Sequence, residues 1–281
     1  MNSDFAKVPV RKVKDYWNER PCNIRHSPAE VGTREYFDQV EERKYFVEPH
    51  IPGFADFDKW RGKKVLEIGC GIGTDTINFA RAGAHVTAVD LSSSSLEIAK
   101  KRAEIFGFLD RIDFFEANAE RLSEFVEPQE FDLIYSFGVI HHSPHPEKIV
   151  EQIRTNFVGS ESTLKLMVYY RYSWKVLWIL LTTGKGKFWK LDDLIAENSE
   201  AQTGCPVTYS YNTKTAKELV GECFEISNIF VDHVFPYRIP DYVKYEYVKK
   251  WYFRFLPEKL FRLFERRFGW HLCLTAKYRK S

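Results

Sequence analysis

Lys63-Lys64-Val65-Leu66-Glu67-Ile68-Gly69-Cys70-Gly71-Ile72-Gly73-Thr74 and, a little further on, Ala84-His85-Val86-Thr87-Ala88-Val89-Asp90 are the two most informative segments of the chain. The first reads as an apolar strand running into a glycine turn that opens a helix. The second reads as the next strand, ending in an acid. Together they describe a nucleotide-type cofactor site at the carboxyl edge of a parallel sheet. The glycine spacing narrows the cofactor. A dinucleotide fingerprint needs a third glycine where Thr74 stands, and a phosphate-cradling loop needs a lysine that is absent here. Glu67, two residues before the first glycine, adds negative charge where a diphosphate would sit, so a cationic cofactor suits it better. Asp90 is placed to accept two hydrogen bonds from a ribose diol.

This combination resembles the class I S-adenosylmethionine-dependent methyltransferases. Glu67 to Gly73 matches their first motif, and Asp90, followed by Leu91, matches the acid of their second. Phe115-Glu116-Ala117-Asn118-Ala119-Glu120-Arg121-Leu122 is similar to their third motif, beside the adenine. The family usually has Asp at the position of Asn118, whose carbonyl can still accept from the adenine amino group. Phe131 to His142 resembles their fourth strand and the loop after it. The resemblance covers roughly residues 60 to 170 and implies S-adenosylmethionine as cofactor. The residues expected to hold it are Glu67, Gly69, Gly71, Gly73, Thr74, Asp90, Leu91, Asn118, Ala119 and backbone near Ser136.

Strands are expected near 64–68, 85–90, 111–116, 131–136, 162–170, 223–232 and 268–278. Helices are expected near 73–83, 94–107, 119–125, 146–157 and 213–221. Such alternation means an α/β fold with helices on both faces of a Rossmann-like, doubly wound, mostly parallel seven-stranded sheet. The resemblance implies that the last two strands form an antiparallel hairpin at one edge. Residues 1–60 read as an N-terminal cap and 61–281 as the catalytic domain. That domain carries insertions at 171–211 and 233–267, after the fifth and sixth strands. The cap and the first insertion are the natural covers for the carboxyl edge. The second insertion either folds over the same region or makes a dimer contact.

The chain has 281 residues, 44% of them apolar, and a net charge of +2, so nothing global points to nucleic acid. Its five cysteines are scattered and lack C-x-x-C spacing, which fits a reducing compartment better than a disulfide framework or zinc site. Met1 to Phe5 lacks an apolar signal core, and a cytoplasmic location is expected.

Methyl transfer from a sulfonium is an in-line displacement, so alignment and exclusion of water are the main tasks, and a base is needed only for a protonated nucleophile. His141, His142 and His145 lie in the loop after the fourth strand. His141 and His142 are candidates for base or substrate contact, against a plain role in holding loop backbone. H-H-x-x-H is not a recognisable zinc spacing, and no metal is expected. Tyr169, Tyr170 and His233 are further candidates, and alternation allows only one of the two tyrosines to face the site. Asp15-Tyr16-Trp17-Asn18-Glu19-Arg20 resembles the helix that many of these enzymes fold over the cofactor. Tyr16 or Arg20 could there meet the methionine carboxylate, unless the segment is an ordinary surface helix.

Residues 244–281 hold 11 Lys and Arg against 3 Glu. Aromatic side chains are interleaved with the cations there, and again in 171–190. Such segments can lie on anionic membranes or bind acidic partners. In the plainer reading Leu256, Leu260, Leu263 and Phe264 pack on the domain while the cations face water. The expected activity is methyl transfer to the oxygen, nitrogen or carbon of a small-molecule acceptor, with no nucleic-acid partner. The rivals are a lipid or quinone methyltransferase working at a membrane surface through 171–190 and 244–264, and a non-catalytic partner protein on the same fold.

Overall fold

The computed structural model describes residues 4–200 and 204–279. Met1 to Ser3, part of the first insertion (201–203) and the last two residues, Lys280 among the counted cations, lie outside that range.

Seven strands form one sheet: β1 (Lys64–Ile68), β2 (His85–Asp90), β3 (Ile112–Glu116), β4 (Phe131–Phe137), β5 (Val158–Tyr169), β6 (Phe224–Asp232) and β7 (His271–Tyr278). Their order is β3-β2-β1-β4-β5-β7-β6. The first five are parallel, and β7 runs antiparallel to both neighbours. Val65, Leu66 and Ile68 are all buried, as a strand covered on both faces requires. The expected Rossmann-like fold is therefore present, with its antiparallel pair at the edge.

Helices α1 (Val10–Glu19), α2 (Arg34–Val47) and α3 (His50–Ala55) precede the sheet. Within the parallel part, α4 (Thr74–Ala82), α5 (Ser93–Phe106) and α6 (Pro146–Asn156) are crossovers. After β5 come α7 (Trp174–Thr182), α8 (Leu191–Glu197) and α9 (Thr213–Val220). Between β6 and β7 lie α10 (Ile239–Tyr242), α11 (Trp251–Arg254) and α12 (Glu258–Phe268).

Three boundaries differ from expectation. The helix expected near 119–125 is a 3-10 turn over Ala119–Glu124 with Arg121 out of helical geometry, started by the Asn118 side chain accepting from Glu120 N–H. Strand β5 starts four residues early because Phe131 pairs with Val158 across an irregularity in the β4–β5 register. Strand β7 starts late, because α12 continues to Phe268.

Three contacts decide how the covers sit. The carbonyl of Trp17 accepts from the Ser92 hydroxyl over 3.3 Å, and the Asn18 side chain accepts from Ser94 N–H, tying α1 to the turn after β2. Arg43 on α2 is buried, donates to the Tyr242 carbonyl and lies 3.9 Å from the centroid of the Tyr242 ring. The second insertion thus folds back over the N-terminal helices. On α12 the inward residues are Phe261 and Glu265, with Phe264 packed beside Phe253. Leu260 and Leu263, expected to face the domain, are 52% and 63% exposed.

Candidate cofactor and acceptor site

A cavity of about 330 Å³ opens at the carboxyl edge of the sheet, between the β1 and β2 ends and the covering helices. One half is lined by the glycine turn, Asp90, Leu91, Asn118 and Ala119. Gly69 sits at φ +82°, and a Cβ there would come within 2.1 Å of Val139, so the turn closes against the β4 loop only with glycine. Gly71 also has positive φ but faces open space, where a ligand can approach the backbone. Asp90 Oδ2 accepts from Gly71 N–H and Oδ1 from Ser92 N–H, each over 2.8 Å. Burial pushes the Asp90 carboxyl up, while those backbone donors pull it down. Each carboxylate oxygen keeps a second lone pair for a diol.

The remaining expected cofactor residues divide into wall and support. Thr74 lines the cavity and its hydroxyl accepts from Arg102. Glu67, Gly73 and Ser136 do not reach the wall. The Glu67 carboxylate turns under the loop to accept from the Thr76 hydroxyl over 2.6 Å, and Ser136 donates to the Ile68 carbonyl. Burial, helped by Asp75, pushes Glu67 up to about 8. Asn118 spends a lone pair of its carbonyl on the Glu120 cap, so the adenine contact expected of that carbonyl is already shared with backbone. Tyr16 and Arg20 are not on the wall either. Helix α1 presents Val10, Val13 and Trp17, spaced three and four residues apart, to the cavity. Arg20 is exposed, pairs with Glu19 and stacks on Tyr16.

The other half of the cavity is lined by Lys44, Glu48, Phe137, Met167, Tyr169, Lys175, Glu200, His233, Trp270 and His271. Because β7 is reversed, its first residue stands at the carboxyl end of β5, and His271 pairs with Tyr169 on one side and Asp232 on the other. Tyr169 faces the cavity, and Tyr170 turns into the core.

His141 and His142 behave differently. His141 is fully buried beneath the Tyr169 ring at 3.9 Å, neither ring nitrogen has a hydrogen-bond partner, and burial holds it well below the usual imidazole range. It is off the cavity wall, so its expected role as base or substrate contact gives way to packing. His142 lines the cavity, but both its nitrogens face acceptors: Nδ1 lies 2.8 Å from the Val207 carbonyl and Nε2 3.4 Å from Glu200 Oε1. Burial works against the charge, yet Cys205 and Glu200 push His142 up to about 10. Burial would raise Glu200, but His142, Lys175 and the Tyr169 hydroxyl bring it down to about 2. Tyr169 donates to the same Glu200 oxygen over 2.5 Å. His142 is an imidazolium paired with Glu200, and a base only after it loses that proton. His145 stands apart from both, beside Glu147.

A second histidine group forms where β6 and β7 meet α3. His50 Nε2 lies 3.0 Å from His271 Nδ1, and His271 Nε2 lies 3.6 Å from Glu48 Oε1. The His233 ring stacks on His271 at 4.5 Å. Burial pushes His50 down to about 4 and His233 to about 3, and raises Glu48 to about 7 against the pull of Lys44. Lys44 itself is fastened to Asp75 over 2.7 Å. Of this group only His233 was legible as a candidate, from its place after the sixth strand.

A family model described as a methyltransferase domain matches residues 65–156, the segment that builds the glycine turn, Asp90 and Asn118. The ubiquinone biosynthesis O-methyltransferase of Pasteurella multocida is 31% identical over 180 residues, which is 56% of this chain and 72% of that protein. The chain belongs to the class I S-adenosylmethionine-dependent methyltransferases. It is an enzyme with S-adenosylmethionine as methyl donor. The Nitrosococcus oceani ubiquinone biosynthesis O-methyltransferase is 36% identical over 144 residues, which is 47% of this chain and 58% of that protein. Among solved structures, magnesium protoporphyrin IX methyltransferase from Synechocystis PCC 6803 with bound SAH superposes with a TM-score of 0.60. That likeness, at 16% identity, covers 97% of this chain and 100% of that one, and it concerns the fold of the methyltransferase.

Proposed function

We propose that this methyltransferase moves the methyl group of S-adenosylmethionine onto a hydroxyl of a small aromatic acceptor. The observation that carries the reading is the far half of the cavity, where the rings of Phe137, Tyr169 and Trp270 alternate with Glu48, Lys175 and Glu200. Ring faces hold a flat acceptor, and polar groups among them fix one hydroxyl toward the sulfonium. The relatives named as O-methyltransferases support oxygen as the acceptor atom. On this reading Asp90 and Leu91 hold the ribose, Asn118 and Ala119 flank the adenine, and Gly69 and Gly71 admit the methionine part. Glu67, Gly73 and Ser136 keep the turn in shape from below, and Thr74 adds to the wall on the cofactor side. Tyr169, hydrogen-bonded to Glu200, and His142, ion-paired with the same carboxylate, form one wall that orients the acceptor. Its oxygen attacks the methyl carbon, the C–S bond breaks with its electron pair on sulfur, and the hydroxyl proton passes to a carboxylate of this half of the cavity, Glu48 or Glu200. We assign 61–281 to one catalytic domain and 1–60 to its cap.

The test is incubation with methyl-labelled S-adenosylmethionine and a panel of hydroquinones, catechols, amines and carboxylates. Label in an aryl methyl ether is the expected product. Label only in N- or C-methyl products would exclude the reading.

A second reading, contact with a bilayer surface, is favoured by one observation. Trp178, Leu181, Trp189, Trp251, Phe255 and Leu263 are each at least 45% exposed, in the Lys- and Arg-rich segments 171–190 and 244–264, with α7 packed against α11 and α12 through Trp174. Among the described residues no helix is long and apolar enough to cross a membrane. On this reading the acceptor reaches the cavity from an anionic surface.

A further inference from the structure

We propose that Glu48, His233 and His271 form a binding site for a first-row divalent transition metal, of the zinc class, opening on the acceptor half of the cavity. One ligand atom from each residue lies within 4.8 Å of the others. Ligand atoms about 2.0–2.1 Å from a tetrahedral ion stand about 3.3 Å apart, and His271 Nε2 already lies 3.6 Å from Glu48 Oε1. Two imidazoles and one carboxylate suit zinc, iron, cobalt or nickel, whereas magnesium and calcium prefer oxygen throughout.

The surroundings are those of a ligand set held in place. His271 Nδ1 faces His50 Nε2 at 3.0 Å, and His50 Nδ1 faces Asp232 Oδ1 at 4.0 Å. A proton on His50 Nδ1 leaves its Nε2 free to accept from His271 Nδ1–H. That tautomer points the lone pair of His271 Nε2 at Glu48, and such an outer partner is what metal-bound histidines generally have. His233 sits at φ +71°, in the left-handed region that few non-glycine residues adopt, Asn, Asp and His most often among them. The residue is 9% exposed, its Nδ1 has no hydrogen-bond partner, and its backbone N–H is held by Asp232 Oδ1 over 2.7 Å. Two cations face the same end of the cavity. Lys44 is committed to Asp75, and Lys175 rests on the Trp270 ring at 4.4 Å. All three residues line the cavity, so an ion held between them would be open to it, and an acceptor oxygen could complete the coordination. A bound hydroxyl would there be more acidic. The site does not depend on which acceptor the enzyme takes.

The experiment is titration of chelator-treated full-length protein with zinc, and separately with magnesium, followed by calorimetry. Cobalt substitution with visible absorption reports the coordination number. One equivalent of zinc bound, no saturable magnesium binding, and a cobalt spectrum of a four- or five-coordinate site are expected. Glu48→Gln and His271→Ala should abolish binding, Asp232→Asn should weaken it about 10- to 100-fold, and His145→Ala should leave it unchanged. S-adenosylhomocysteine binding, measured on every variant, shows that each is folded and reports on the cofactor site separately. Stoichiometric zinc binding that survives Glu48→Gln and His271→Ala would overturn the proposal. So would absence of zinc binding in wild-type protein that still binds S-adenosylhomocysteine.

Discussion

Arg102 and Thr74 are joined in the interior: the guanidinium donates to the Thr74 hydroxyl over 2.7 Å with no solvent exposure on the arginine. The same guanidinium pairs with Glu41 over 2.9 Å and donates to the Phe37 carbonyl. One side chain of α5 thus links the glycine turn to the covering helix α2.

Removing that link should loosen both partners at once. Arg102→Met is expected to lower stability by about 2–4 kcal/mol, because Glu41 is left with Arg81 alone and the Thr74 hydroxyl and Phe37 carbonyl lose a buried charged donor. It should also weaken S-adenosylmethionine binding, although no atom of Arg102 lines the cavity. Thermal unfolding and calorimetry check the two effects. Binding unchanged in a destabilised variant would separate the cap from the cofactor site.

Two glycines of the turn should respond differently to the same methyl group. Gly69→Ala would drive a Cβ into Val139, so a folding defect is expected, visible as a large fall in melting temperature. Gly71→Ala meets no neighbour within 4 Å, and its cost in stability should be about 1–2 kcal/mol from the left-handed backbone. Its cofactor affinity should fall at least tenfold, since the methyl occupies the open side. Equal effects at both positions would place the cofactor elsewhere.

The His142–Glu200 pair predicts a pH profile. His142 is raised from 6.5 to about 10 in the folded protein, so its contribution is complete below about pH 6.5 and is lost as pH rises through about 10. Glu200 is lowered from 4.5 to about 2, so its contribution is complete above about pH 4.5 and is lost as pH falls through about 2. The melting-temperature difference between wild type and Glu200→Gln should be largest between about pH 4.5 and 6.5 and shrink on either side. A difference that grows from pH 7 to 10 would contradict the imidazolium assignment.

The exposed apolar face predicts binding to vesicles. The protein should co-sediment with anionic phosphatidylglycerol vesicles and much less with neutral phosphatidylcholine, and salt should weaken the contact. Leu260→Glu with Leu263→Glu should reduce it at least tenfold while leaving S-adenosylhomocysteine affinity unchanged. Equal sedimentation of the double variant would leave α12 without that role.

Near-sequence chemistry was readable in the chain, and long-range convergence was not. Glu67 to Gly73 and Asp90 declare their turn and strand end locally, and all seven strands were legible from periodicity and breakers. Glu48, His50 and His271 meet only because β7 enters the sheet reversed, which brings a residue more than two hundred positions away beside α3. The histidine pair after β4 misled for the opposite reason. Its spacing drew attention to His141, but burial under Tyr169 decides its role. Tyr16 is off the wall by helix phase, since α1 turns Val13 and Trp17 to the cavity, and Arg20 lies past the end of α1, paired with Glu19. On α12 the apolar spacing also allowed two phases, and Phe261, larger than its leucine neighbours, took the inner position.

The most direct measurement is calorimetric titration of S-adenosylhomocysteine into wild-type protein and Asp90→Ala. Micromolar binding by the wild type, weakened at least tenfold in a variant that still unfolds cooperatively, is the predicted result. Equal affinity in the two proteins, or no binding by the wild type, would contradict a cofactor site between the glycine turn and Asp90.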